Sequence, residues 1–124
     1  MFKHSGAFSS FSVDDVARAR QFYVDSLGLS VTEEMGGLRL HLPDGVDVFV
    51  YPKPDHKAAN FTVLNFIVED IDVAVEELTN SGVEFEHYEG ALQTDDKGIF
   101  RGDGPKIAWF KDPAGNIFSV LVAQ

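Results

Sequence analysis

Phe11 to Asp15 reads FSVDD and Phe66 to Asp70 reads FIVED, fifty-five positions apart, and each is followed by apolar residues at helical spacing. This duplication limits the fold more than any other feature. Two copies of a small strand-helix-strand unit, facing each other, make a curved sheet whose concave side is the natural place for a ligand. In the first copy, Phe11 and Val13 alternate within an expected strand over 8–13. Spacing then changes to helical at Val16, Ala19, Phe22, Tyr23 and Leu27. Asp15 suits the cap that accepts from the free amides of a first turn, and Gly28 suits the left-handed residue that ends a helix. The second copy repeats this with Asp70 as cap, Ile71, Ala74, Val75 and Leu78 as the buried stripe, and Gly82 as terminator.

Shorter strand patterns follow each helix. In the first half they are Leu29 to Glu34, Leu38 to Leu42 and Val46 to Tyr51, separated by Gly36-Gly37 and Pro43-Asp44-Gly45 turns. In the second half they are Val83 to Tyr88, Lys106 to Lys111 and Asn116 to Val122, the last two joined by Asp112-Pro113-Ala114-Gly115. Each half thus reads βαβββ, giving an α+β class with module 1 over 1–52, a polar linker over 53–60 and module 2 over 61–124, together one domain. Glu89 to Pro105 breaks the symmetry with a long run rich in Gly and charge. Loops of that length inside a compact domain are more often functional than idle, the alternative being a disordered excursion.

Of 124 residues, 44% are hydrophobic and eleven are Phe, enough for an ordinary core without staples. No cysteine is present, which removes disulfides, thiolate ligands and a cysteine nucleophile and makes a reducing cytoplasm the default. Twenty acidic against ten basic residues give a formal charge of −10, which repels a phosphate backbone. Nucleic acid is excluded as an expected partner. No run approaches a membrane span and the start lacks the apolar stretch of a signal peptide, so a soluble chain is expected.

Three blocks carry a resemblance: VDDVARARQFYVDSLGL (Val13 to Leu29), VEDIDVAVEELTNSGV (Val68 to Val83) and WFKDPAGNIFSV (Trp109 to Val120). Together, in this order, they resemble the vicinal oxygen chelate superfamily, the group of glyoxalase I, bleomycin-resistance proteins, fosfomycin-resistance enzymes and extradiol dioxygenases. The resemblance implies a glyoxalase/bleomycin-resistance-like fold, two modules forming a curved mixed sheet with helices on the convex side, and commonly a homodimer. Read physically, Phe22 and Tyr23 are core packing, and Asp112, Pro113, Gly115 and Asn116 are turn-formers rather than catalytic groups.

Metal-using members of this group are similar to one another in placing His, Gln or Glu on the first and last strands of each half. Aligned on the capping aspartates and the final turns, those positions fall here on Phe8, Val63, Phe49 and Ser119. None is a good divalent-metal donor, and a slip of one or two residues does not supply one. His4, His41, His56 and His87 are scattered without ligand spacing. The expectation is therefore no metal and no cofactor. Strand alternation leaves Phe8, Ser10, Phe49, Tyr51, Asn65, Trp109 and Ser119 on the concave side, an apolar bowl with a few hydroxyls that suits an aromatic or cationic small molecule. These aromatics could equally be filling the cup as core. His41 joins the set if Leu38, Leu40 and Leu42 pack on the helix, and Arg101 in the long loop could close over an anionic guest. The expected function is metal-free binding of a small molecule, with no catalytic residue assigned. The alternative is a lyase or dioxygenase of the same superfamily with ligands elsewhere, or a cofactor-free isomerase with His41 as base.

Overall fold

A computed structural model describes residues 1–123. The chain divides into two units, Met1–Lys57 and Ala58–Gln124, the division falling inside the connection expected over 53–60. In the first unit, strand β1 (Ser9–Val13) leads to helix α1 (Val16–Gln21), which continues as a wider π-helical turn over Phe22–Ser26. Strands β2 (Ser30–Glu34), β3 (Gly37–His41) and β4 (Asp47–Pro52) follow, in the sheet order β1-β4-β3-β2. The second unit runs β5 (Thr62–Val68), α2 (Ile71–Asn80), β6 (Ile99–Phe100), β7 (Ile107–Lys111) and β8 (Ile117–Val122), in the order β5-β8-β7-β6. In both sheets the first and last strands pair in parallel and the other neighbours antiparallel, so the two βαβββ modules repeat each other in topology.

Local chemistry accounts for the helix starts. Asp15 Oδ1 accepts from the Arg18 amide and Asp70 Oδ1 from the Val73 amide, each at 3.1 Å, satisfying one donor that a first turn leaves open. Each helix packs on one face of its own sheet. Leu38, Leu40, Val48, Val50, Phe11 and Val13 are buried with Ala19 and Tyr23 in the first unit. Ala108, Phe110, Phe118 and Val120 are buried with Ile71 and Val75 in the second. Each such large apolar side chain contributes roughly 1.5–3 kcal/mol on burial. Phe110 sits edge-on to both Phe85 and Phe118, at centroid distances of 5.6 and 5.7 Å.

The expected strand over Val83 to Tyr88 does not form. Only Phe85 bridges β7, opposite Phe110, and Glu86 donates one backbone hydrogen bond to Trp109 at 2.8 Å before the chain leaves the sheet. The insertion returns Ile99 and Phe100 as β6 opposite Ala108 and Ile107, so two separate pieces of chain share the edge of this sheet. Gly98 permits the return: its φ is 89°, and a Cβ there would stand 2.8 Å from Phe85 Cβ. The 89–105 segment is thus built into the unit, carrying β6 and a 3₁₀ turn at Gly90–Leu92.

Candidate functional site

In the first unit, burial of Leu38, Leu40, Val48 and Val50 against the helix turns Arg39, His41, Phe49 and Tyr51 to the opposite face. Ser10 stands beside Phe49 in register and Ser12 beside Tyr51, while Phe49 and Tyr51 stack at 6.5 Å with an interplanar angle of 17°. Phe8 lies one residue before β1, not in the strand, and is 66% exposed. Its ring takes the Arg39 guanidinium at 5.9 Å. Arg39 is also paired to Glu34 and lies 3.6 Å from Asp47. His41 Nδ1 is 3.4 Å from Asp47 Oδ1 and His41 Nε2 hydrogen-bonds Thr32 Oγ1 at 2.9 Å. Both ring nitrogens of His41 are thereby oriented.

In the second unit, Trp109, Ser119 and Asn65 form one cross-strand row. Ser119 is fully buried, and its hydroxyl donates to Asn65 Oδ1 at 2.5 Å. That hydrogen bond fixes the Asn65 side chain on the face where both residues were expected. Trp109 is held between Tyr88, edge-on at 5.3 Å, and Phe100, tilted at 6.4 Å. Beside it opens a groove of about 1030 Å³, walled by Trp109, Tyr88, Phe61, Leu92 and Ile117, with Glu86, Glu89 and Lys111 among its polar lining. Phe61 and Leu92 are 65% and 50% exposed, so apolar surface stands ready at its walls. Lys111 Nζ is 3.3 Å from Glu86 Oε1. Burial pushes the Tyr88 phenol up, and the neighbouring Glu86 charge adds to this.

Arg101 does not join this face. Its Nε donates to Asp95 Oδ2 at 3.0 Å and its second nitrogen to Asp72 Oδ1, on the first turn of α2, at 2.6 Å. The side chain is paired within its own unit to both carboxylates. Of the expected contacts, the structure gathers Ser10, Phe49, Tyr51 and His41 on one sheet and Asn65 and Trp109 on the other. Sequence reasoning did not place Phe61 or Leu92, which lie outside the strands, or Tyr88, which ends the expected strand over Val83 to Tyr88 that does not form. It also missed the hydrogen bond of Ser12 Oγ with His56 Nδ1 at 2.6 Å, which ties the 53–57 segment back to β1. A second cavity of about 720 Å³ lies between α2 and the 83–87 segment; Val75, Val83 and Phe85 line it together with the charged Glu76, Glu84, Asp96 and Lys97.

The positions where metal-using relatives place ligands do not fit a metal in this chain. Phe8, Phe49 and Val63 carry no donor atom, and the Ser119 hydroxyl is hydrogen-bonded and sealed from solvent. Among the described residues, no group of three or more His, Asp or Glu side chains is arranged to hold an ion.

Two duplicated modules, each with one helix across a four-stranded mixed sheet, define a class of protein that the comparisons name. The family model for the Glyoxalase/Bleomycin resistance protein/Dioxygenase superfamily matches residues 7–120. The chain belongs to this superfamily. Among solved structures, UcmS2 is similar with a TM-score of 0.73 at 20% identity, covering 98% of this chain and 100% of its own. TnmS3, an antibiotic binding protein from Streptomyces sp. CB03234, has a TM-score of 0.69 at 17% identity, covering 99% of this chain and 100% of its own. A glyoxalase family protein from Enterococcus faecalis has a TM-score of 0.69 at 24% identity, covering 98% and 99%. At these identities the likeness is one of fold. No match was found among curated proteins. No helix among the described residues is long and apolar enough to cross a membrane.

Proposed function

We propose that this chain is a small-molecule-binding protein that sequesters an aromatic or cationic guest without a metal, and that the groove beside Trp109 is where the guest sits. The observation that carries this reading is the groove itself: aromatic and aliphatic walls around one tryptophan, acidic groups among its lining, and a volume of the order a drug-sized guest needs. Rings bury large area at low entropy cost, and with Glu86 paired to Lys111 it is Glu89 that leaves the lining negative and favours a positive guest. That TnmS3 is an antibiotic binding protein is consistent with such a use of the fold. The two modules then serve as one domain, acting as a homodimer in the cytoplasm, a reading supported by the family resemblance and the cysteine-free sequence.

Trp109 is the only tryptophan, so its emission reports on the groove directly. Titration with planar aromatic cations should quench it saturably, at one guest per chain. Trp109→Ala should weaken binding, followed by calorimetry, by about 10- to 100-fold, or about 1.4–2.8 kcal/mol. A panel of such compounds that leaves both emission and thermal midpoint unmoved at millimolar concentration would count against the assignment. A second reading takes His41 as the general base of an isomerase: Asp47 beside Nδ1 would orient the ring, and Nε2 would exchange the Thr32 hydroxyl for the substrate proton. Turnover abolished by His41→Ala, with guest binding retained, would select it.

A further inference from the structure

The segment between Tyr88 and Phe100 supplies one wall of the Trp109 groove, and what holds that wall lies outside the groove. Tyr88 and Thr94 close a short loop: the Tyr88 amide donates to Thr94 Oγ1 at 2.9 Å and the Thr94 amide to the Tyr88 carbonyl at 3.0 Å. Inside it, Glu89, Ala91 and Leu92 line the groove, and the only regular structure is the single 3₁₀ turn of Gly90–Leu92. One such turn has little stability of its own, so its order comes from its anchors. The anchor follows at once. Asp95 Oδ1 accepts the amides of Lys97 and Ile99, both at 2.9 Å, and its Oδ2 accepts Arg101 Nε at 3.0 Å. Arg101 then reaches Asp72 on α2 at 2.6 Å. One planar guanidinium thus joins turn, edge strand and helix, an arrangement a lysine ammonium cannot reproduce.

We propose that Arg101 is a positioning residue for the groove: by clasping Asp72 and Asp95 it keeps the Tyr88 to Thr94 loop standing as a preformed wall. The role of that wall in binding rests on the reading of the groove as the guest site; the clasp itself does not. A preformed wall spares a guest the cost of ordering the loop.

The decisive experiment needs no guest. Hydrogen exchange of the backbone amides is compared in the wild type, Arg101→Gln, Arg101→Lys and Asp72→Asn, with acrylamide quenching of Trp109 read in parallel. Arg101→Gln should speed exchange of the 88–94 amides roughly tenfold and raise quenching, while β8 amides keep their protection. Arg101→Lys should restore the wild-type pattern only in part. Asp72→Asn, at an exposed helix position that leaves the core intact, should give a smaller rise in the same amides. Exchange unchanged in Arg101→Gln, or raised equally across the whole second unit, overturns the proposal. A wild type whose Trp109 responds to no guest would show the separate failure of the binding reading. If guests bind, Arg101→Gln should weaken them roughly three- to tenfold.

Discussion

Asp112 is a carboxylate that is nearly sealed from solvent at 4% exposure, yet it is fully employed. Its Oδ1 accepts the amides of Ala114 and Asn116 at 3.0 and 2.8 Å, and its Oδ2 accepts the Asn116 side-chain amide at 3.1 Å. Asp112→Ala removes the acceptor of these three hydrogen bonds, two of them buried, and is expected to destabilise by roughly 2–4 kcal/mol, while Asp112→Asn keeps part of the set and should cost less. Urea unfolding with an unchanged slope checks both. This turn was legible in the sequence because every partner lies within four residues, so DPAGN encodes its own hydrogen bonds. The capping roles of Asp15 and Asp70 were legible for the same reason. Ser12 and His56, forty-four residues apart, share no pattern that would announce their contact. Asn65 and Ser119 were placed on one face by strand alternation, but alternation does not reveal that one consumes the other's hydroxyl.

At the scale of elements, the helices and seven of the strands follow from hydrophobic period and turn chemistry, since each is decided by residues near in sequence. The edge of the second sheet was not legible. Val83 to Tyr88 has the composition of a strand, but pairing is a competition for the exposed side of β7, and Ile99–Phe100 takes the part opposite Ala108 and Ile107. Two expectations follow for the turn that brings it back. Gly98→Ala forces a side chain into a left-handed backbone against Phe85 and should lower the thermal midpoint while leaving the first unit's exchange pattern intact. Asp95 gives the turn a pH dependence. Its partial burial acts to raise its pKa, but the Ile99 amide, the Arg101 side chain and the Lys97 amide together outweigh that and hold it below the ordinary value of 3.8. A depressed carboxylate contributes stability that is present above its unfolded value and lost as pH falls through its folded one. Trp109 emission should therefore change in acid, below pH 3.8, and Asp95→Asn should lose that step.

Across the whole molecule, one topology appears twice and its two copies have gone different ways. The open face of the first unit carries the ion network of Glu34, Arg39, Asp47 and His41, and that of the second carries the aromatic groove. Neither sheet offers a good metal ligand at the positions the family resemblance points to, because Phe8, Phe49 and Val63 have no donor atom and the Ser119 hydroxyl is bonded to Asn65. That argument reaches a measurement directly. A specific ion bound only by the native state stabilises it by about 2.7 kcal/mol at one hundred times its dissociation constant, a rise on the order of 10 °C for a chain of this size. Zinc, manganese, nickel and ferrous iron, each added to dialysed protein, are expected to leave the midpoint where it was. Elemental analysis should find none of them near one equivalent per chain. The scattered surface carboxylates of a chain with charge −10 will collect cations weakly, and that signal should vanish in 0.5 M salt, roughly five times the ionic strength at which screening already acts over about 10 Å. A rise of several degrees with one ion, persisting in salt and reversed by chelator, would mean that side chains outside these positions form a metal centre. The binding reading would then give way to a metal-assisted reaction.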